Sequence, residues 1–163
     1  MVNVTNSATS CYDSFTDAMA KATDGRITDA PNNSRAAVAD PRLVAQLNSP
    51  TATSGSTKGV TGGSTGTAAL APISIMYKNA DYGGDSLIYQ GDFDCSGPTD
   101  QPDYWVELIQ PGWNDEIGSY RAYRNCWLSL FEHRGWTGGS IGYAGNRTDL
   151  GILDDKASSI RWS

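Results

Sequence analysis

The sequence predicts an all-β C-terminal domain, preceded by a short helical segment and a linker rich in Ser, Thr and Gly. All aromatic residues except Tyr12 and Phe15 lie after residue 72, so the part of the chain that forms a core is C-terminal. The chain contains 18 glycines and no long aliphatic run, which is typical of short strands joined by tight turns. We therefore expect three parts, residues 1–48, 49–72 and 73–163.

The segment before the linker is expected to contain one or two short helices. Within residues 12–24, apolar side chains recur at helical spacing from Phe15 to Ala22. A second, weaker helix is expected after Asp40-Pro41, because proline favours the first turn of a helix. Both helices are interpreted as packing or docking elements rather than as parts of a functional site.

The linker prediction rests on composition. Residues 49–69 are almost entirely Ser, Thr, Gly and Ala, with a single charge at Lys58 and no aromatic residue. Such a segment cannot bury enough apolar surface to offset the entropy lost on ordering. We therefore expect a flexible linker, and the folded domain is predicted to begin near Pro72.

Charge and composition exclude several classes of protein. The formal net charge is −6, and all of it falls in residues 73–163. An acidic chain without a basic stripe is not expected to bind nucleic acid, and no apolar run approaches the roughly 20 residues of a membrane span. Residues 1–6 lack the basic and apolar regions of a signal peptide, which predicts either a cytosolic protein or a mature form.

The C-terminal domain contains short apolar and aromatic runs that alternate with Gly, Pro and Asp, as strands alternate with turns. The predicted strands cover residues 73–77, 86–89, 104–109, 119–123 and 126–131.

Two parts of this domain resemble each other. At a shift of 54 residues, aromatic, glycine and serine residues match in the pairs Tyr77/Phe131, Tyr82/Trp136, Gly84/Gly138 and Ser86/Ser140. At a shift of 40 residues, residues 114–121 align with residues 154–161. Matching starts and ends indicate a duplicated unit of about four strands, and two such units would pair as a two-sheet sandwich.

The matched residues favour a folded hairpin in each unit. The second aromatic ring can lie over the turn, and the glycine that follows supplies a backbone conformation with positive φ. The hydroxyls of Ser86 and Ser140 are expected to hydrogen-bond back to their hairpins.

These residues resemble the Greek-key signature of the βγ-crystallin superfamily, which reads aromatic-x6-Gly-x-Ser. The resemblance spans residues 73–163 and implies two Greek-key motifs that form one β-sandwich. The layout of helix, linker and domain also resembles that of exported actinobacterial proteins. The signature occurs as Tyr77…Gly84-Asp85-Ser86 and as Phe131…Gly138-Gly139-Ser140.

In microbial members of that superfamily, each unit ends with a calcium motif of two Asp/Asn, two free positions, Ser/Thr and Ser. Residues 154–159 fit all four fixed positions, whereas residues 114–119 fit three and carry Gly118 where a hydroxyl is expected. The resemblance therefore implies that the motif with Gly118 is the weaker one. Replacing Gly118 by serine is expected to tighten it, provided that the backbone at this position has a negative φ.

The resemblance also implies that the two units exchange one ligand. The first calcium site would use the main-chain carbonyls of Glu132 and Lys156, the hydroxyl of Ser158 and the carboxylate of Asp115. Waters would complete the shell, because calcium takes six to eight oxygens.

The second calcium site would use the main-chain carbonyls of Lys78 and Glu116 and the carboxylate of Asp155, with nothing from Gly118. About one formal negative charge at each site predicts weak binding, with a Kd on the order of 10⁻⁶ to 10⁻³ M.

The three cysteines indicate whether the protein resides in a reducing or an oxidising compartment. Cys95 follows the first hairpin and Cys126 opens the second unit, so a disulfide between them is expected, closing a loop of about 30 residues. Cys11, on the N-terminal segment, is expected to be free or to pair between chains. A disulfide favours an exported protein.

The expected function is that of a secreted, non-enzymatic calcium-binding protein whose fold the ion stabilises. An extracellular peptidase inhibitor is the alternative, or an antimicrobial or glycan-binding protein on the same fold, with a peptidase or a glycan as partner. Residues 91–112, the long insertion of the first unit, are where we would seek a reactive loop. Catalysis is not expected, because the single histidine, His133, has no nucleophile or metal cluster beside it in the sequence.

Overall fold

The computed structural model describes residues 1–49, 70–97 and 101–163. Three helices and nine strands are described in these ranges, together with 3-10 turns at Ala80–Tyr82 and Gly151–Leu153. The predicted linker lies outside the described residues except at residue 49 and residues 70–72. In chain order the helices and strands are β1 (Val2–Asn3), α1 (Phe15–Ala22), α2 (Ser34–Ala39), α3 (Pro41–Asn48), β2 (Ala71–Asn79), β3 (Gly83–Gly91), β4 (Tyr104–Val106), β5 (Ser119–Ala122), β6 (Leu128–His133), β7 (Thr137–Ala144), β8 (Asn146–Arg147) and β9 (Ser159–Trp162).

The strands form two sheets that face each other. The first sheet has the order β1-β3-β2-β5-β8, and the second has the order β4-β9-β6-β7. In the first unit, β2, β3 and β5 lie in the first sheet and β4 lies in the second. In the second unit, β6, β7 and β9 lie in the second sheet and β8 lies in the first. This reciprocal exchange of a strand is the Greek-key sandwich predicted from the sequence.

The core between the sheets is built from one side of each strand. Met76, Leu130 and Ile160 are buried there together with the rings of Tyr89 and Trp162, which meet edge to face at 5.0 Å between ring centroids. Buried indole N–H groups need an acceptor, and that of Trp162 donates to Ser74 Oγ at 3.0 Å. The two sheets are therefore joined by apolar packing and by a buried hydrogen bond.

The N-terminal segment covers the outer face of the first sheet. A second buried cluster unites Met19 and Leu43 of the helices with Ile75 and Tyr77 of β2. Since side chains alternate between the faces of a strand, β2 is apolar on both faces, with Ile75 and Tyr77 turned outward and Met76 inward. The helices therefore bury a face of the sheet that would otherwise be exposed to water.

Polar contacts also fix the N-terminal segment to the domain. The Arg121 guanidinium donates to Val38 O at 2.9 Å, and Gln90 Nε2 donates to Ala22 O at 3.0 Å. Strand β1 adds to the first sheet in parallel with β3. The segment and the domain thus share a sheet and a core, although the sequence pattern separates them.

Several predicted elements differ in extent. The helix expected at residues 12–24 covers Phe15–Ala22, because Ser14 takes the N-cap position and its Oγ accepts the Asp17 N–H at 3.0 Å. The strand expected at residues 104–109 ends at Val106, and Ile109 instead donates its N–H to Ser158 O at 2.8 Å.

The predicted disulfide between Cys95 and Cys126 is present, and both residues are buried. Cys11 is exposed and free. The bridge links the insertion of the first unit to the start of the second. Among the described residues, no helix has the length and apolar character that crossing a bilayer requires.

Candidate metal centre

Each unit contains one folded hairpin, and the two hairpins have the same backbone geometry. Tyr82 and Trp136 both adopt φ of 61°, and Gly84 and Gly138 follow with φ of 75° and 80°. A Cβ at Gly138 would also lie 2.8 Å from the His133 ring. Glycine is therefore required there both by the positive φ and by the close approach.

The hydroxyls that hold the hairpins are not those expected from the sequence. Ser119 Oγ donates to Asn79 O and Ser159 Oγ donates to His133 O, both at 2.6 Å. No side-chain hydrogen bond from Ser86 or Ser140 to a described residue is found. Sequence reasoning missed Ser119 and Ser159, although both occupy the last fixed serine position of the calcium motifs.

The loops that precede β5 and β9 reach across to each other. Asp115 and Asp155 occupy equivalent left-handed positions, with φ of 58° and 52°. The N–H of Asp115 donates to Ala157 O at 3.1 Å, and the N–H of Asp155 donates to Ile117 O at 3.2 Å. Each aspartate is thus held beside the other unit's motif, next to the residue that precedes Ser158 or Gly118.

The first predicted site brings two of its side-chain ligands together. Ser158 Oγ donates to Asp115 Oδ1 at 3.1 Å. Ser158 is buried and Asp115 is exposed. Two oxygens on one calcium ion, each at about 2.3–2.6 Å from it, lie about 3 Å apart. The Ser158–Asp115 pair therefore fits calcium without a large rearrangement.

The two main-chain carbonyls predicted as ligands of this site, those of Glu132 and Lys156, lie in different local environments. Glu132 lies at the register shift of the β6–β7 hairpin, where regular pairing is interrupted. Its side chain accepts the Gly139 N–H at 3.1 Å. Lys156 is exposed, and no described residue donates a hydrogen bond to its carbonyl oxygen. Lys156 O is therefore available to an ion.

The second predicted site has a different chemistry. The Lys78 ammonium pairs with Glu116 Oε2 at 3.1 Å and lies 5.6 Å from the centroid of the Trp113 ring. Glu116 O accepts no hydrogen bond from the described residues. The Asp155 main chain is positioned as that of Asp115 is, but Gly118 stands where the first site has Ser158, so this position supplies no hydroxyl.

Gly118 is required at the second site for a steric reason. A Cβ there would lie 2.6 Å from Lys78 O and 2.8 Å from the carbonyl carbon of Asn79. Real Cβ atoms do not approach backbone atoms so closely, and Lys78 O belongs to the β2–β3 hairpin, which cannot move freely. The expectation that serine at Gly118 tightens this site therefore meets a steric obstacle that the sequence does not reveal.

Carboxylates gather around Asp154, next to Asp155 of the second predicted site. Desolvation and the neighbouring carboxylates of Asp155 and Asp149 raise the pKa of the exposed Asp154 above its usual value. No group of three or more His, Cys, Asp or Glu side chains arranged for a metal occurs in the described part of the chain. A cation here would depend mainly on hydroxyl and main-chain oxygens, which hard cations such as calcium accept.

No protein-family model matches the chain, and no curated protein is significantly similar to it. Similar solved structures include the N-terminal domain of protein S, with 21% identity over 56% of this chain and 94% of that chain and a TM-score of 0.43. A βγ-crystallin domain from Clostridium beijerinckii is 21% identical over 55% of this chain and 95% of that chain, with a TM-score of 0.42. One from Flavobacterium johnsoniae is 22% identical over 56% and 93%, with a TM-score of 0.41.

The likeness concerns the fold and carries no information about ligands. This chain is similar to βγ-crystallin domains, and its own strand order shows the two Greek-key motifs.

Proposed function

We propose that residues 71–163 bind calcium, principally between Asp115 and Ser158, and that the ion stabilises the folded domain. The observation that carries this proposal is the 3.1 Å contact between Ser158 Oγ and Asp115 Oδ1. A carboxylate and a hydroxyl from different units converge there, beside the exposed Lys156, whose carbonyl accepts no described hydrogen bond. Glu132 O and Lys156 O are the main-chain ligands, and waters complete the shell.

The position of the site gives the ion a structural role. Its ligands come from the loop before β5, the β6–β7 hairpin and the loop before β9, so an ion bound there joins both Greek-key units. These oxygens meet only in the folded chain, because Asp115 and Ser158 are 43 residues apart. Binding only to the folded state raises stability by RT ln(1 + [Ca²⁺]/Kd).

The second site, with Lys78 O, Glu116 O and the Asp155 carboxylate, is proposed as weaker. It lacks a hydroxyl at Gly118, and the Lys78 ammonium already pairs with Glu116. A positive side chain close to the ligands opposes the entry of a second cation. Calcium saturation is therefore expected to proceed through one dominant site.

We further propose that the protein is exported. The Cys95–Cys126 disulfide supports this, because such bonds persist mainly in oxidising compartments. Extracellular calcium is abundant enough to occupy a weak site of the class expected for about one formal charge, with a Kd on the order of 10⁻⁶ to 10⁻³ M. The proposed role is non-enzymatic.

Calorimetric titration of metal-free protein with calcium tests the proposal. Asp115→Asn removes a charged ligand and is expected to weaken the principal site about tenfold or more. Asp154→Asn is the matched control, since it removes the same charge from an exposed residue of the motif around Ser158 that is not a proposed ligand. We expect it to change the Kd by about threefold at most, through the local field alone. Equal effects of the two substitutions, or no heat of binding in the wild type, would contradict the proposed site.

A further inference from the structure

A small cavity lies where the N-terminal segment meets the first unit of the domain. Its volume is about 320 Å³, at the lower end of the range for pockets that hold small ligands. Residues 2–4 and Ser7 line one side, and residues 105–108 and Gln110 line the other. None of these residues is a proposed calcium ligand, so the cavity is a separate feature of the fold.

Two exposed side chains give the cavity an apolar wall. Trp105 is 55% exposed and Leu108 is 52% exposed, although burying such side chains is favourable. Both line the cavity, together with the partly buried Val4 of the N-terminal segment. An indole ring that remains exposed in a concave site offers a flat surface on which the apolar face of a ligand can stack.

The polar side chains of the cavity have hydrogen-bonding capacity that the described chain does not use. Asn3 Oδ1 accepts the Thr5 N–H at 2.9 Å, and Gln110 Oε1 accepts the Tyr89 hydroxyl at 2.8 Å. Each amide oxygen is therefore occupied, whereas no hydrogen bond from either NH2 group to a described residue is found. The exposed Glu107 carboxylate likewise accepts no hydrogen bond within the described ranges. The lining thus offers two donor groups and one charged acceptor.

The charges around the cavity nearly cancel. Among the described residues that line it, Glu107 is the single ionisable side chain. Arg161 lies directly opposite Trp105 on the neighbouring strand, so both side chains project from the same face of the sheet. The carboxylate of Asp103, two residues before Trp105, accepts the N–H and the hydroxyl of Ser96. A cation over Trp105 would meet the guanidinium and an anion would meet Glu107, so the surroundings favour a neutral ligand.

A sugar ring has the chemistry that this lining accepts. The faces of a gluco-configured pyranose carry axial C–H groups that pack on an aromatic ring, while its hydroxyls project from the rim. Each hydroxyl can both donate and accept a hydrogen bond. The ring can therefore accept from the Asn3 and Gln110 amides and donate to the Glu107 carboxylate, and a bond to a charged acceptor is the stronger kind.

We propose that this cavity binds a neutral, gluco-configured saccharide, which stacks on Trp105 and hydrogen-bonds to Asn3, Glu107 and Gln110. The site takes residues from both the N-terminal segment and the domain, so the pairing of β1 with β3 completes it. The N-terminal segment thereby has a second role besides covering the first sheet. The proposal goes beyond calcium binding and does not depend on it.

The test uses the full chain labelled with nitrogen-15, with cellobiose and N,N′-diacetylchitobiose as probes. We expect the indole N–H resonance of Trp105 and the side-chain amide resonances of Asn3 and Gln110 to shift with at least one sugar, with a Kd below about 10 mM. The indole resonance of Trp127, an exposed tryptophan outside the cavity, should not shift. No shift of the Trp105 and Asn3 resonances with either sugar at about 50 mM overturns the proposal.

Two further probes test the class of ligand. Mannitol has the hydroxyls of a sugar but no ring face, and choline carries a cation that aromatic rings attract. Neither should reproduce the shifts of Trp105 and Asn3. Equal shifts with mannitol overturn stacking on Trp105, and equal or larger shifts with choline overturn the preference for a neutral ligand.

Two cavity variants and one control test the assigned residues. Trp105→Ala removes the stacking surface and should lower the sugar affinity about tenfold or more, whereas Trp127→Ala should leave it unchanged. Glu107→Ala removes the acceptor at an exposed position and should lower the affinity about threefold or more. Unchanged affinity in both cavity variants, or an equal loss in Trp127→Ala, overturns the site.

Discussion

The hydroxyl of Ser158 lies 3.1 Å from a carboxylate oxygen of Asp115, although 43 residues separate them in the sequence. The contact has a main-chain counterpart, since the Asp115 N–H donates to the carbonyl of Ala157 at 3.1 Å. The loop of the first unit is thus docked on the motif of the second by both its backbone and its side chain. This arrangement makes the proposed calcium site a junction between the two units.

Removal of the Ser158 hydroxyl should weaken calcium binding strongly while lowering the stability of the metal-free protein only slightly. Ser158→Ala deletes a proposed ligand, so calcium affinity is expected to fall about tenfold. In metal-free protein the substitution removes only one hydrogen bond to an exposed carboxylate, at a cost of about 0.5–1.5 kcal/mol. Titration calorimetry and urea unfolding without metal measure the two effects. Ser140→Ala, at an exposed serine of β7, is the control and should change neither.

Gly118→Ser is expected to destabilise the fold rather than improve the second site. The new Cβ would lie 2.6 Å from Lys78 O, and relieving such an overlap typically costs about 1–3 kcal/mol. Urea unfolding of metal-free protein measures this cost. Gly142→Ser is the control, because a Cβ at Gly142 meets no atom within 4 Å. If Gly118→Ser were as stable as the control and bound calcium more tightly, the steric argument would be wrong. The expectation drawn from the sequence would then hold.

The disulfide between Cys95 and Cys126 is expected to contribute a large part of the free energy of unfolding. Cys95 and Cys126 enclose a loop with a sequence separation of 31, and the chain-entropy model assigns such a bridge about 3–4 kcal/mol. Thiol titration of the denatured chain should find one reactive thiol before reduction and three after it. Reduction should lower the free energy of unfolding by the stated amount. The experiment is best made on Cys11→Ser, which removes the exposed free thiol and should then show no reactive thiol before reduction.

Alkaline pH should destabilise the domain through its buried tyrosines. Burial raises the pKa of Tyr120 to about 12, against the lowering effect of Arg147, and its hydroxyl donates to Leu128 O at 3.2 Å. Because the folded pKa lies above the unfolded value of about 10, the folded state holds this proton more tightly. Its contribution is complete below pH 10 and is lost as the pH rises towards 12, by about 2–3 kcal/mol.

Urea unfolding at several pH values between 8 and 12 measures this loss. Tyr120→Phe has no proton to lose at this position, so its free energy of unfolding should fall less steeply with pH than that of the wild type. Identical slopes would show that Tyr120 does not contribute to the alkaline transition. Burial also raises the pKa of Tyr89, so part of the slope should remain in the variant.

The hairpins could be predicted from the sequence because their geometry depends on few residues at fixed spacing. Gly84 and Gly138 do have positive φ, and Tyr82 and Trp136 occupy equivalent turn positions. Local spacing determines these hairpin features, so a single sequence is sufficient to locate them. The contact between Asp115 and Ser158 joins residues 43 positions apart, and it was expected only because the resemblance implies an exchange of ligands between the units.

Features that depend on tertiary packing were not predicted. Helix α2 was missed because only Ala37 and Val38 of its six residues are buried, too few to form an apolar stripe. The helices were expected to pack or dock, but the face of the domain that they cover was not predicted, although Ile75 and Tyr77, on the face of β2 opposite Met76, were the available signal. The close approach of Gly118 to Lys78 O involves a hairpin about 40 residues earlier and leaves no trace in local composition.

The melting temperature of metal-free protein with and without calcium tests calcium binding most directly. Stabilisation by binding to the folded state alone amounts to about 2.7 kcal/mol at a hundredfold excess over Kd. The melting temperature of the wild type should therefore rise at about 10 mM calcium, and that of Asp115→Ala should rise much less. An unchanged melting temperature in the wild type, or an equal rise in both proteins, would contradict a calcium site between Asp115 and Ser158.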